Sequence, residues 1–147
     1  AGGSAGGHLA FCTAIEDSFD DPQDDKSIST IPQAMLLYNP ALFSSADAPH
    51  SESQDEATRT PENIKRIAPL DHVHKDTPPA MIFFGTRDPL MRGAEEYLRL
   101  AKKAGVRAEM FTAEGNSHGF FNTEPWMSKT IDVADQFLVS LGYLDKQ

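Results

Sequence analysis

The sequence predicts an α/β chain: a mostly parallel sheet covered by helices on both faces. Three observations carry this. Continuous apolar runs at 34–38 and 80–84 suit short strands buried on both sides. Helical patterns alternate with these runs, the order that lays successive strands side by side and parallel. Ser4, Asp88 and His118 all fall where strands end, the rim at which such sheets gather their functional groups.

Each element has a local reason. From Ala5 to about Ile15, Leu9, Cys12 and Ile15 recur at helical spacing, with Phe11 and Ala14 beside them. Asp17 to Ser29 is acidic, polar and interrupted by Pro22, which reads as a solvated loop. Ala34 to Tyr38 is the first clear strand, stopped by Asn39-Pro40. An irregular, cap-like connection over 41–69 follows, rich in Ser, Asp and Pro, and a connection of that length suits a cover over a site. Within it, Thr60-Pro61-Glu62 marks the start of a short helix reaching about Ile67. Ala80 to Phe84 is the second strand, and Pro89 opens a helix to about Ala104 that Gly105 stops. Val106 to Phe111 is a third strand whose alternating Arg107 and Glu109 suit a sheet edge. Gly115 to Gly119 is a loop, and Pro125 opens a last helix with Ala134, Phe137, Leu138 and Leu141 facing inward.

The chain has 147 residues, 39% of them hydrophobic, with nine phenylalanines, which suits one domain over 1–147 with a packed core. Its net charge of −9 argues against nucleic acid and anionic membrane surfaces, which attract positive charge. No apolar run has the length of a membrane span. One cysteine excludes an internal disulfide, and Cys12 in its apolar run reads as buried and inert.

The chemistry starts at Gly2-Gly3-Ser4-Ala5-Gly6, a G-x-S-x-G box. A serine held on a sharp strand-to-helix turn needs neighbours without bulk, and glycines two before and two after supply the room. The turn exposes the hydroxyl beside a helix N-terminus, where amides favour developing negative charge and the Ala5 N–H serves as an oxyanion donor. A serine hydroxyl is a weak nucleophile until a base takes its proton and a carboxylate orients that base. His118 as base and Asp88 as orienting acid complete the set in the chain order Ser, Asp, His. Each piece has a plainer reading: Asp88 before Pro89 suits a helix cap, and His118 in its loop suits solvent. The other histidines offer less. His8 reads as structural, His50 has no visible partner, and His72 and His74 form an H-x-H lacking an obvious third metal ligand. The glycine-rich start has neither G-x-G-x-x-G spacing nor a following lysine, so a phosphate-binding loop is not indicated.

Residues 2–10, Gly-Gly-Ser-Ala-Gly-Gly-His-Leu-Ala, resemble the elbow of the α/β-hydrolase esterases. Pro78-Pro79 ahead of Phe84-Gly85-Thr86-Arg87-Asp88, and Asn116-Ser117-His118-Gly119-Phe120, resemble that superfamily's acid and base segments. The similarity is greatest to hormone-sensitive-lipase-like carboxylesterases and to acetyl-xylan or feruloyl-esterase-like hydrolases. The resemblance implies the C-terminal half of an α/β-hydrolase fold, beginning at the elbow. It implies a serine hydrolase cleaving small or sugar-linked carboxylic esters through an acyl-enzyme, with Ser4 as nucleophile, Asp88 as acid, His118 as base and no cofactor or metal. Gly3 stands where the lipase-like group often carries an acidic residue, which favours the sugar-ester and prolyl-oligopeptidase-like branch. The superfamily's His-Gly-Gly oxyanion loop would lie upstream of Ala1. The 147 residues alone are therefore expected to be inactive or nearly so, and to self-associate through an exposed sheet edge. The competing readings are a prolyl-oligopeptidase-type peptidase, which shares the elbow, and a non-catalytic piece of the fold.

Overall fold

The computed structural model describes residues 1–15, 21–48 and 60–145. Asp17 to Asp20 of the acidic loop, His50, and residues 49–59 of the long connection lie outside the described residues.

Four strands form one parallel sheet in the order β1 (Gly2–Gly3), β2 (Met35–Tyr38), β3 (Ala80–Gly85) and β4 (Ala108–Ala113). Gly2 and Gly3 pair with Leu37 and Tyr38, Met35 with Ala80, and Ala80 through Gly85 with Ala108 through Ala113. All six residues of β3 are buried, as the centre of a sheet covered on both faces requires. β4 lies at one edge, as Arg107 and Glu109 suggest, with Glu109 and Thr112 exposed and Ala113 buried.

The side chains of β3 divide between two cores. Ala80, Ile82 and Phe84 join Leu37, Met35, Phe11, Ala14 and Ile15 on one face, together with Ala94, Tyr97 and Ala101. The helices on that face are α1 (Ala5–Cys12) and α3 (Met91–Ala104). Met81 and Phe83 join Ala113, Phe120, Ala134 and Phe137 on the other face, which α4 (Trp126–Ser140) covers. Full burial of each large side chain contributes about 1.5–3 kcal/mol before entropy is counted. α2 (Pro61–Arg66) begins as its sequence requires, with the Thr60 hydroxyl accepting from the Asn63 N–H at 3.2 Å.

Four boundaries or faces differ from the sequence expectation. α1 stops at Cys12, because the Ala14 and Ile15 amides bond to Phe11 and Cys12, a tighter i→i+3 pattern. Its inward residues are Gly7 and Phe11, while Leu9 is 65% exposed. The elbow orients this helix and so decides which face turns inward. α3 begins at Met91, not Pro89, since Asp88 to Leu90 form a turn that presents the Asp88 carboxylate. β4 begins at Ala108, because the Val106 amide closes α3 by bonding to Ala101 O. Gly105, at φ 75°, makes the reversal between them.

Candidate active site

Ser4 sits between β1 and α1 at φ 54°, ψ −120°, a conformation that serine rarely adopts. Strain of this kind costs about 1–3 kcal/mol and persists only where the surroundings hold it. Here the Ser4 N–H donates to Tyr38 O at 2.7 Å, and its carbonyl receives the His8 N–H at 3.1 Å as α1 starts. A Cβ on Gly2 would run into the Gly6 carbonyl, and one on Gly7 would reach Pro40 and Gly2 O at 3.0 Å. A Cβ on Gly6 would meet nothing within 4 Å. The crowding of the elbow therefore falls on positions 2 and 7, not on the motif's second glycine. Ala5 is the first residue of α1, so its N–H is among the amides that have no acceptor inside the helix.

Asp88 lies just past β3 and its carboxylate is fully buried. Oδ1 accepts from the Leu90 N–H at 2.9 Å, so the plainer turn-holding role is present. Oδ2 accepts from His118 Nδ1 at 2.7 Å and from Asn39 Nδ2 at 2.6 Å. His118 is carried by the loop after β4. That loop is tied to the end of β3 by the Arg87 N–H on Asn116 O at 2.9 Å and the Gly115 N–H on Thr86 Oγ1 at 2.8 Å. Gly85 allows the close approach, for a Cβ there would collide with the Asn116 and Ser117 carbonyls.

The imidazole of His118 is 42% exposed, and its Nε2 lies 2.8 Å from Ser4 Oγ. A carboxylate only accepts, so Nδ1 carries the proton toward Asp88 and Nε2 is left to accept from the serine hydroxyl. Ser4, His118 and Asp88, which are 114 and 30 residues apart along the chain, thus form one continuous hydrogen-bonded line.

Asn39 is the site residue that sequence reasoning missed. It is fully buried, at φ 44°, and its Oδ1 accepts from the Gly119 N–H at 3.0 Å while its Nδ2 holds Asp88. The available signal was its position, a polar residue just after an apolar strand, beside the strand that leads to Asp88.

The other described histidines serve local structure. His8 Nε2 bonds to Ile67 O at 2.7 Å and its ring stacks on Phe43, while His72 Nε2 bonds to Lys65 O at 2.7 Å. The His74 backbone and ring are occupied by Thr77 Oγ1 and the Asp76 N–H. Cys12 is half-buried and lies 3.5 Å from His8 Nε2, and burial pushes its thiol up to about 11. No group of three His, Cys, Asp or Glu side chains among the described residues is placed to hold a metal ion. No described helix is long and apolar enough to cross a membrane.

A family model described as alpha/beta hydrolase fold matches residues 57–122. Among solved structures, a thermophilic esterase from the Planctomycetes species Thermogutta terrifontis is 34% identical with a TM-score of 0.84, over 99% of this chain and 55% of that one. The propionate-bound form of that esterase is also 34% identical, TM-score 0.84, over 99% and 56%. A form phosphonylated by sarin is 36% identical, TM-score 0.83, over 99% and 57%. No curated protein sequence matches the chain. The parallel sheet and these matches define an α/β-hydrolase fold. The chain is similar to an esterase over nearly all of its own length, and it spans just over half the length of the esterase chains that it matches.

Proposed function

We propose that the intact protein is a serine hydrolase of carboxylic esters with small or sugar-linked acyl groups. Ser4 is the nucleophile, His118 the general base and Asp88 the orienting acid. Ser4 Oγ attacks the ester carbonyl as His118 Nε2 takes its proton, forming a tetrahedral oxyanion. The Ala5 N–H, at the positive end of α1, donates to that oxygen, and loss of one such donor typically costs about 10²–10³ in turnover. Collapse breaks the ester C–O bond, and His118 returns the proton to the leaving alkoxide. Water then repeats the sequence on the acyl-enzyme, releasing the carboxylic acid and restoring Ser4. Asp88 keeps the imidazole in the correct tautomer and stabilises the imidazolium.

The observation that carries this reading is the hydrogen-bonded line from Ser4 Oγ through His118 to the buried Asp88 carboxylate, 2.8 and 2.7 Å long in its two steps. The similar esterase from Thermogutta terrifontis has a propionate-bound form and a form phosphonylated by sarin. A bound short acid is what short-acyl ester hydrolysis releases, and organophosphorus reagents trap activated nucleophiles. Among the described residues β1 pairs on one side only, with β2. Its free edge is where we expect a further strand to add, from the same protein or from a second copy.

The test is covalent labelling of the intact protein with a fluorophosphonate, followed by peptide mass mapping. One adduct on Ser4, abolished in Ser4→Ala and slowed at least about 10³-fold in His118→Gln, is the expected result. An adduct that persists in Ser4→Ala, or none in the folded wild type, overturns the assignment.

A further inference from the structure

Asn39 makes two hydrogen bonds, and both partners belong to the site. Nδ2 donates at 2.6 Å to Asp88 Oδ2, the same oxygen that accepts from His118 Nδ1. Oδ1 accepts at 3.0 Å from the N–H of Gly119, the residue next to His118. One amide group thus spans the end of β3 and the loop after β4, contacts 49 and 80 residues away along the chain. Its backbone continues the sheet through its N–H on Phe83 O at 2.9 Å. The positive φ of 44° then turns the chain, in a region that Asn tolerates better than most residues. Leucine at this position would fill similar space but leave the Gly119 amide unpaired and remove one of three donors from a buried carboxylate.

We propose that Asn39 is a positioning residue for the proposed hydrolytic site: it holds the Asp88 carboxylate and the His118 loop at one fixed separation. This rests on the serine hydrolase reading but asks a different question of it. With Leu90 N–H on Oδ1 and Asn39 on Oδ2, the carboxylate cannot rotate away from the imidazole. The Gly119 contact prevents the loop from retreating as the imidazole gains and loses its proton. Asn39 touches no reacting atom and acts through Asp88 and His118. The titratable groups on its polar side are Asp88 and, beyond it, His118.

Two variants of the intact protein separate positioning from mere packing. Asn39→Gly keeps the positive φ accessible and removes both hydrogen bonds. Its kcat on a short-chain ester is expected to fall about 10- to 100-fold with KM little changed, because the imidazole is less well aimed. Asn39→Asp keeps the size and the acceptor for Gly119. Protonated, its carboxyl still donates to Asp88; ionised, it opposes a second carboxylate. Its kcat should therefore approach wild type at low pH relative to its own maximum and acquire a loss toward higher pH that wild type lacks. Proton NMR gives a readout that needs no turnover. The downfield His118 Nδ1–H resonance should be present in wild type and should broaden or move upfield in Asn39→Gly. If wild type shows no ester turnover, the functional reading fails while the resonance still judges the positioning. If folded Asn39→Gly retains the wild-type resonance and kcat, and Asn39→Asp retains a parallel pH profile, the positioning role is overturned. A lowered melting temperature with those three readouts unchanged is the signature of packing alone and counts equally against it.

Discussion

Two helices on the same face of the sheet, α1 and α3, follow different rules. α3 has the pattern of a packing helix: Ala94, Tyr97 and Ala101 are buried in line, and Arg99, Lys102 and Lys103 lie on the outer side. α1 has no such division. It buries Gly7 and Phe11, leaves Leu9 65% exposed, and begins with two consecutive glycines after Ala5. Its first turn serves the Ser4 backbone, not the core. The contrast teaches that a helix launched from a strained turn spends its sequence on the turn, and its hydrophobic periodicity is a poor guide to its inward face.

Substitutions on the two helices can break that contrast. The largest effect is expected at Tyr97, whose ring packs edge-on against Phe11 at 5.4 Å in the core. Tyr97→Ala should destabilise by about 3–5 kcal/mol in denaturant unfolding. Its hydroxyl, buried and without a hydrogen bond among the described residues, should make Tyr97→Phe neutral to stabilising. A stability loss in Tyr97→Phe would reveal a partner for that hydroxyl.

Cys12, the last residue of α1, comes next. With its thiol pushed up from 9.0 to about 11 by burial, the reactive thiolate below pH 9 is about 100-fold scarcer than in the unfolded chain. Alkylation by iodoacetamide at pH 8 should therefore be slower by about that factor in the folded protein. A rate equal to that of the urea-unfolded chain would contradict the burial.

The smallest effects sharpen the elbow itself. Gly2→Ala places a Cβ against the Gly6 backbone and should cost about 1–3 kcal/mol, with slower fluorophosphonate labelling of a displaced Ser4. Gly6→Ala meets open space inside a helix and should change stability by less than about 1 kcal/mol, in the stabilising direction. Equal losses at both positions would restore the motif's two glycines to equal standing.

Much of the fold was legible from single stretches. The apolar runs at 34–38 and 80–84 became β2 and β3 because six or fewer consecutive apolar residues bounded by turn residues have few other stable uses. Thr60-Pro61 began α2, Gly105 ended α3 and Pro125 preceded α4, since caps act within a few residues. Ser4 is legible from its G-x-S-x-G box, and Asp88 and His118 from their places after strands and the chain order Ser, Asp, His. The helix start at 91 and the strand start at 108 are not legible in the sequence, because a side-chain bond at Asp88 and a closing bond from Val106 decide them.

By itself, then, the amino-acid order determined what is local: which runs are strands, where caps and turns fall, and which residues are candidates for a Ser-His-Asp site. Tertiary structure alone decided which face of α1 turns inward, that the Asp88 carboxylate serves a turn and an imidazole at once, and that Asn39 joins them. The physical reason is reach. Propensity, capping and burial pattern act over a few residues, whereas hydrogen bonds between groups 49, 80 and 114 positions apart exist only after the sheet has brought its strand ends together.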